Sequence, residues 1–253
     1  MNNQPTPDND VNTIISLLLA NSLKILNRNF LAMYLHGSLA VGDFHLDNSD
    51  IDFMIVINEQ LSDETIQELH IMHSNLLTQI SGWGKRLEGS FVWKELLKAS
   101  APPIVPRPYI NGESFFTVPY GYEWVLEKYV LREKSIVVTG PPPEILIAPI
   151  SFQEINEALK KLLRQDWKPL LLNSSRLNEE GYREYTVLTM SRCLFTFSQN
   201  KIVSKKAAAE WVRNRFPEWT GLINSALSGF DYRNIIDFEM IKKFIRFTIE
   251  FIK

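Results

Sequence analysis

The chain has 253 residues, 45% of them hydrophobic, and a formal net charge of -2. That is enough apolar material for one large domain or two small ones, and too little basic excess for a protein that holds nucleic acid mainly by neutralising phosphates. The single cysteine, Cys193, excludes an intramolecular disulfide and a cysteine-based zinc site; the acid-bearing start MNNQPTPDND and the lack of any apolar run near the ~18 residues of a membrane span predict a cytoplasmic protein.

Val11, Ile14, Ile15 and Leu18 recur at helical spacing behind Asp10, a cap candidate. LAMYLHG, short and apolar, reads as a buried strand that stops at Gly37, and SLAVGDFHLDNS after it reads as a turn region. DIDFMIVI is the second strand. Ser62, with Asp63 and Glu64 behind it, opens a helix whose apolar stripe runs through Ile66, Leu69, His73 and Leu76. RLEGSFVW is a third strand, and the proline-rich ASAPPIVPRPY is expected to be irregular and exposed. A helix from Tyr122 to Lys134 and a strand SIVVTG lead to PPPE. From Ser151 onward strand signals fade and helical periods follow one another, one of them placing Val187, Met190, Leu194 and Phe197 on one face. The expected architecture is an α/β (α+β) domain with a mixed sheet over residues 1–150, then an all-α bundle over 151–253.

The chemistry concentrates in Gly37-Ser38 and Ser49-Asp50-Ile51-Asp52. Alternate strand residues share a face, so Asp50 and Asp52 project together with Cα atoms roughly 7 Å apart. Two carboxylates on an apolar strand repel each other and resist desolvation, and a divalent cation relieves both costs. Magnesium suits such a platform, being held by one or two carboxylates together with substrate phosphates. Gly37 permits close backbone approach, and Ser38 adds a hydroxyl for phosphate oxygens. Glu88 falls on the strand expected to pair beside the Asp strand, where a third acid would hold a second metal or take a proton from an attacking hydroxyl.

The string LHGSLAVGDFHLDNSDIDFMIVI resembles the nucleotidyltransferase superfamily that includes DNA polymerase β. TVLTMSRCLFTFSQNKIVSKKAAAEWVRNRFPEW and REKSIVVTGPPPEIL resemble the aminoglycoside adenylyltransferases of the streptomycin/spectinomycin group. The resemblance implies an enzyme that moves AMP from ATP to a hydroxyl of an aminoglycoside or aminocyclitol with two magnesium ions, releasing pyrophosphate. It places the metal ligands on Asp50 and Asp52, and the third carboxylate and catalytic base on Glu88. Phosphate-contacting serines fall on Ser38 and Ser49, basic contacts to the triphosphate on Arg192 and Lys205, and a nucleotide-contacting acid on Glu123. A late aromatic near the nucleotide falls on Phe230 or Tyr232. Where streptomycin-modifying members offer the drug an acid and a histidine, this chain has Tyr182 and Tyr185, which favours spectinomycin over streptomycin. Glu88, Glu113, Glu123 and Glu184 are the carboxylates available to a cationic acceptor. The expected partners are ATP and that small molecule, with no nucleic acid, no membrane and a monomeric chain. A protein acceptor, as in AMPylation, and a non-catalytic nucleotide-binding module are the alternatives. His70 and His73 read as a structural pair, and Cys193 as a small core residue.

Overall fold

The computed structural model describes residues 4–47, 49–79, 82–230 and 235–253. They form two compact units, Met1–Pro149 and Ile150–Lys253.

In the first unit α1 (Asn9–Leu26) starts at Asp8, whose side chain accepts from Val11 N at 2.9 Å. Asp8 is therefore the cap, and Asp10 lies in the first turn where the macrodipole favours an acid. Next come β1 (Phe30–Leu35), α2 (Gly37–Val41), β2 (Ile51–Ile57), α3 (Asp63–Leu76, capped by Ser62) and β3 (Leu87–Trp93). The unit continues through β4 (Arg107–Asn111), β5 (Ser114–Val118), α4 (Glu123–Lys134), β6 (Ile136–Thr139) and the short α5 (Pro143–Leu146).

Among the described residues the strands form one six-stranded sheet in the order β5-β4-β3-β2-β1-β6. Only β2 and β3 run parallel, and α3 carries the chain between them, as a parallel pair requires. One sheet face presents Ile51, Phe53, Ile55, Leu87, Phe91 and Ile110 to a core closed by Val11, Ile14, Ile15 and Leu18 of α1 and Leu69, Met72 and Leu76 of α3. Fully burying one such side chain contributes about 1.5–3 kcal/mol, so this face anchors β2 and β3.

Two stretches differ from the sequence reading. The turn region after Gly37 opens with α2, a single helical turn ended by Gly42 in the left-handed conformation. The proline-rich stretch is irregular only in its first part, because Arg107–Asn111 is a strand that forms a hairpin with β5. Pro108 pairs with Thr117 of β5, past the end of the β3 ladder at Tyr109, so its missing N–H removes no bond to β3. His73 Nε2 donates to the Gly112 carbonyl at 2.8 Å and His70 stacks on Phe115 at 5.1 Å, so both histidines seat this hairpin on α3. Burial lowers the His73 pKa.

The described residues of the second unit contain no strand. Its helices are α6 (Phe152–Leu162), α7 (Tyr182–Gln199), α8 (Lys205–Arg215), α9 (Thr220–Ser228) and α10 (Ile235–Phe251). Ser151 and Glu154 form a reciprocal capping box at α6, and Ser204 caps α8. Val187, Met190 and Leu194 of α7 are buried together with Cys193, whose thiol burial pushes up to about 12. No described helix is long and apolar enough to cross a membrane.

Candidate active site

Four strand ends meet at one edge of the sheet: the end of β1, the starts of β2 and β3, and the end of β4. Asp52 and Glu88 are direct Cα partners across the parallel pair, so their side chains lie side by side on the face away from the α1/α3 core. Asp50 stands one residue before β2 and is exposed. The sequence spacing thus puts two acids at one strand start, and the sheet register adds the third.

Gly37 closes this edge from above. Its φ of +56° is a left-handed conformation, and a Cβ there would lie 1.8 Å from Asp52 Oδ2. Only glycine meets both conditions. His36 N donates to the Asp52 carbonyl at 3.0 Å, which ties the turn to β2. Ser38 Oγ and His36 Nε2 are buried with no hydrogen-bond partner. Burying such groups costs about 1–3 kcal/mol each, and unsatisfied polar atoms of this kind beside an acidic edge fit a site that takes up a polar ligand.

Ser49 is half-buried and organises the loop that leads into Asp50. Its Oγ accepts from His45 N at 2.9 Å, and its carbonyl accepts from Arg86 Nη2. Arg86 also donates to the Leu46 carbonyl and lies 4.1 Å over the Trp83 ring. This clamp between the foot of β3 and the loop before β2 carried no signal in the sequence.

A second layer lies on the same sheet face. Tyr109 of β4 donates its phenol to Glu88 Oε1. Arg107, on the same side of β4, pairs with Glu127 of α4 at 3.5 Å and stacks 4.1 Å over the Tyr120 ring. Burial and the neighbouring Glu88 charge raise the Tyr109 pKa far above the ordinary phenol value, so it is a donor at any physiological pH. Burial likewise raises Glu127, with Arg107 and His36 opposing the shift. Glu123, at the start of α4, accepts from Gly121 N at 3.1 Å and stays exposed. Glu113 is engaged elsewhere, in the hairpin turn, where Lys85 pairs with it at 2.6 Å and lowers its pKa.

In the second unit Tyr182, Tyr185 and Arg192 lie along α7 at spacings that keep them on one side of the helix. Trp167 stacks on both tyrosines, 6.5 Å from Tyr182 and 5.8 Å from Tyr185. Arg176 lies 4.3 Å over Tyr182 and Lys205 lies 4.5 Å over Tyr185. Lys205, the first residue of α8, is half-buried, whereas Lys206 is exposed. Glu184 accepts from Phe230 N at 2.8 Å, and Phe230 is buried. Tyr232 lies outside the described residues.

Residues 19–97 match the family model of the nucleotidyltransferase domain, and residues 147–250 that of the aminoglycoside adenylyltransferase C-terminal domain. The chain is 26% identical to a spectinomycin 9-adenylyltransferase of Campylobacter jejuni, over 96% of this chain and 93% of that protein. It is 26% identical to an aminoglycoside (3'') (9) adenylyltransferase of Escherichia coli, over 82% and 80% of the two. The fold matches a crystal structure of a spectinomycin adenyltransferase from Enterococcus faecialis with ATP and spectinomycin. The TM-score is 0.76 at 20% identity, covering 95% of this chain and 98% of that one.

Proposed function

Because the chain belongs to the aminoglycoside adenylyltransferases, within the nucleotidyltransferase superfamily, we propose that it transfers AMP from ATP to a hydroxyl of an aminocyclitol antibiotic and releases pyrophosphate, with spectinomycin preferred to streptomycin. The observation that carries this reading is the in-register pair of Asp52 and Glu88 beneath the Gly37 turn.

The residues fit magnesium. Asp50, Asp52 and Glu88 offer hard oxygen ligands. Among the described residues no three His, Cys, Asp or Glu side chains form a metal set on their own, and magnesium is commonly held by one or two carboxylates together with substrate phosphates. Two magnesium ions bound there would neutralise charge on the attacking and leaving oxygens at the α-phosphate. Glu88 takes the proton from the acceptor hydroxyl, whose oxygen bonds to the α-phosphorus as the bond to pyrophosphate breaks. Ser38 donates to a phosphate oxygen, and Ser49 contributes a second phosphate contact while shaping the loop before Asp50. Arg192 and Lys205 contribute the second unit's positive charge to the triphosphate, and Glu123 contacts the nucleotide. The chain works as a monomer in the cytoplasm, where ATP is supplied.

Tyr182 and Tyr185, stacked with Trp167, present an aromatic surface to the acceptor in place of the acid and histidine expected for streptomycin. With Arg176 and Lys205 already over the two rings, this surface gives a guanidinium no bidentate carboxylate. Pyrophosphate release is therefore expected with ATP, magnesium and spectinomycin, and only at background level with streptomycin. Release with streptomycin would overturn the role given to the two tyrosines. Silence with both drugs, with adenylylation of a co-purified protein, would replace the small-molecule acceptor by a protein.

Gly37→Ala is expected to lower kcat at least about tenfold, because the new methyl must displace the Asp52 carboxylate. The left-handed backbone adds a stability loss of about 1–2 kcal/mol. Steady-state kinetics and thermal melting read the two effects separately, and a wild-type kcat would show that Asp52 has no fixed task.

A further inference from the structure

Glu88 reaches its position on a side chain with three rotatable bonds, and a base on such an arm works only if something sets its direction. Tyr109 is placed to do this. It is the β4 residue opposite Ser90, and its phenol reaches diagonally across the strand pair to Glu88 Oε1. An ionised carboxylate only accepts, so the phenol donates, and hydrogen bonds to ionised acceptors are roughly twice as strong as neutral ones.

The phenol is itself fixed. Its ring packs 5.7 Å from Phe116 of β5. The Arg107 guanidinium lies 5.8 Å from its centre and is 6% exposed. Arg107 in turn is anchored by Glu127 and by the Tyr120 ring. A continuous relay of contacts therefore runs from α4 through β4 to the acid on β3.

We propose that Tyr109 is the positioning residue of Glu88, holding one carboxylate oxygen so that the carboxylate keeps a single orientation toward the acceptor hydroxyl. The proposal rests on Glu88 as the base for adenylyl transfer. Tyr109 itself touches neither substrate.

Tyr109→Phe keeps the ring and its packing and removes only the hydroxyl. Its kcat for spectinomycin adenylylation is expected to fall about tenfold, with the KM for ATP within about twofold of wild type and thermal melting unchanged. In the E88Q background, Y109F is expected to cause no further loss, because a residue that acts through Glu88 has nothing left to position. A crystal structure of Y109F is expected to show the Glu88 carboxylate turned away or in several rotamers. A wild-type kcat for Y109F, an equal tenfold loss on top of E88Q, or an unmoved Glu88 would each overturn the positioning role. A wild-type rate for E88Q alone would instead overturn the assignment of the base, which keeps the two failures distinct.

Discussion

Asp52→Asn is expected to lower kcat for adenylyl transfer by at least about a thousandfold, a loss of the size that follows when charge stabilisation at a transferring phosphoryl group is removed. Asn matches the shape of Asp, so the fit beneath Gly37 and the backbone bond from His36 survive while the negative charge is lost. That charge has no substitute: Asp50 lies before the strand and is exposed, and Glu88 is engaged by Tyr109. Folding should not suffer. Asp52, Asp50 and Glu88 gather like charges at one sheet edge, and removing one relieves repulsion in the metal-free protein. The melting temperature without magnesium is therefore expected to equal or exceed that of wild type while activity collapses. Stopped activity together with a lowered melting temperature would mark Asp52 as a structural residue.

The second large effect is expected from Glu88→Gln, at about 100- to 10,000-fold in kcat, the range of general-base contributions. An amide accepts the Tyr109 hydrogen bond as a carboxylate does but takes no proton. ATP affinity, read by calorimetry, should weaken far less than kcat falls, because the substitution keeps the size and the hydrogen bond of the side chain and changes only its ability to take a proton. A KM effect with kcat preserved would move Glu88 from proton transfer to ground-state binding.

The sequence made the acidic sheet edge legible because its parts are local. Gly37-Ser38 and Asp50-x-Asp52 sit within one short segment, and the β-branched and aromatic run after Asp50 has a period that reads directly as a strand. Glu88 needed one further inference, the adjacency of two strands, and the register of β2 and β3 supplies it. The helical second half was legible through the fading of strand signals after Ser151 and the period of α7.

The rest was hidden because it depends on contacts distant in sequence. Tyr109 meets Glu88 across 21 residues and Arg86 meets Ser49 across 37. Neither pair leaves a local period. β4 was masked by Pro108 and the prolines just before it, which read as loop residues until the sheet shows Pro108 lying past the β3 ladder. Trp167 had no visible partner in the sequence, since its stacking on Tyr182 and Tyr185 depends on the π-helical turn at Leu163–Trp167 meeting α7. Glu113 and Glu184, plausible as acids for a cationic drug, have partners 28 and 46 residues away, Lys85 and the Phe230 amide.

The central claim is that an adenylyl group passes from ATP to an aminocyclitol hydroxyl, and the position of a label tests it most directly. Purified protein would be incubated with magnesium and spectinomycin and with ATP labelled at either the α- or the γ-phosphate, and drug and protein would then be separated. The account predicts that the α-label alone moves to spectinomycin and that the γ-label leaves in pyrophosphate. Transfer of the γ-label to the drug, or of the α-label to protein with the drug unmodified, would contradict it.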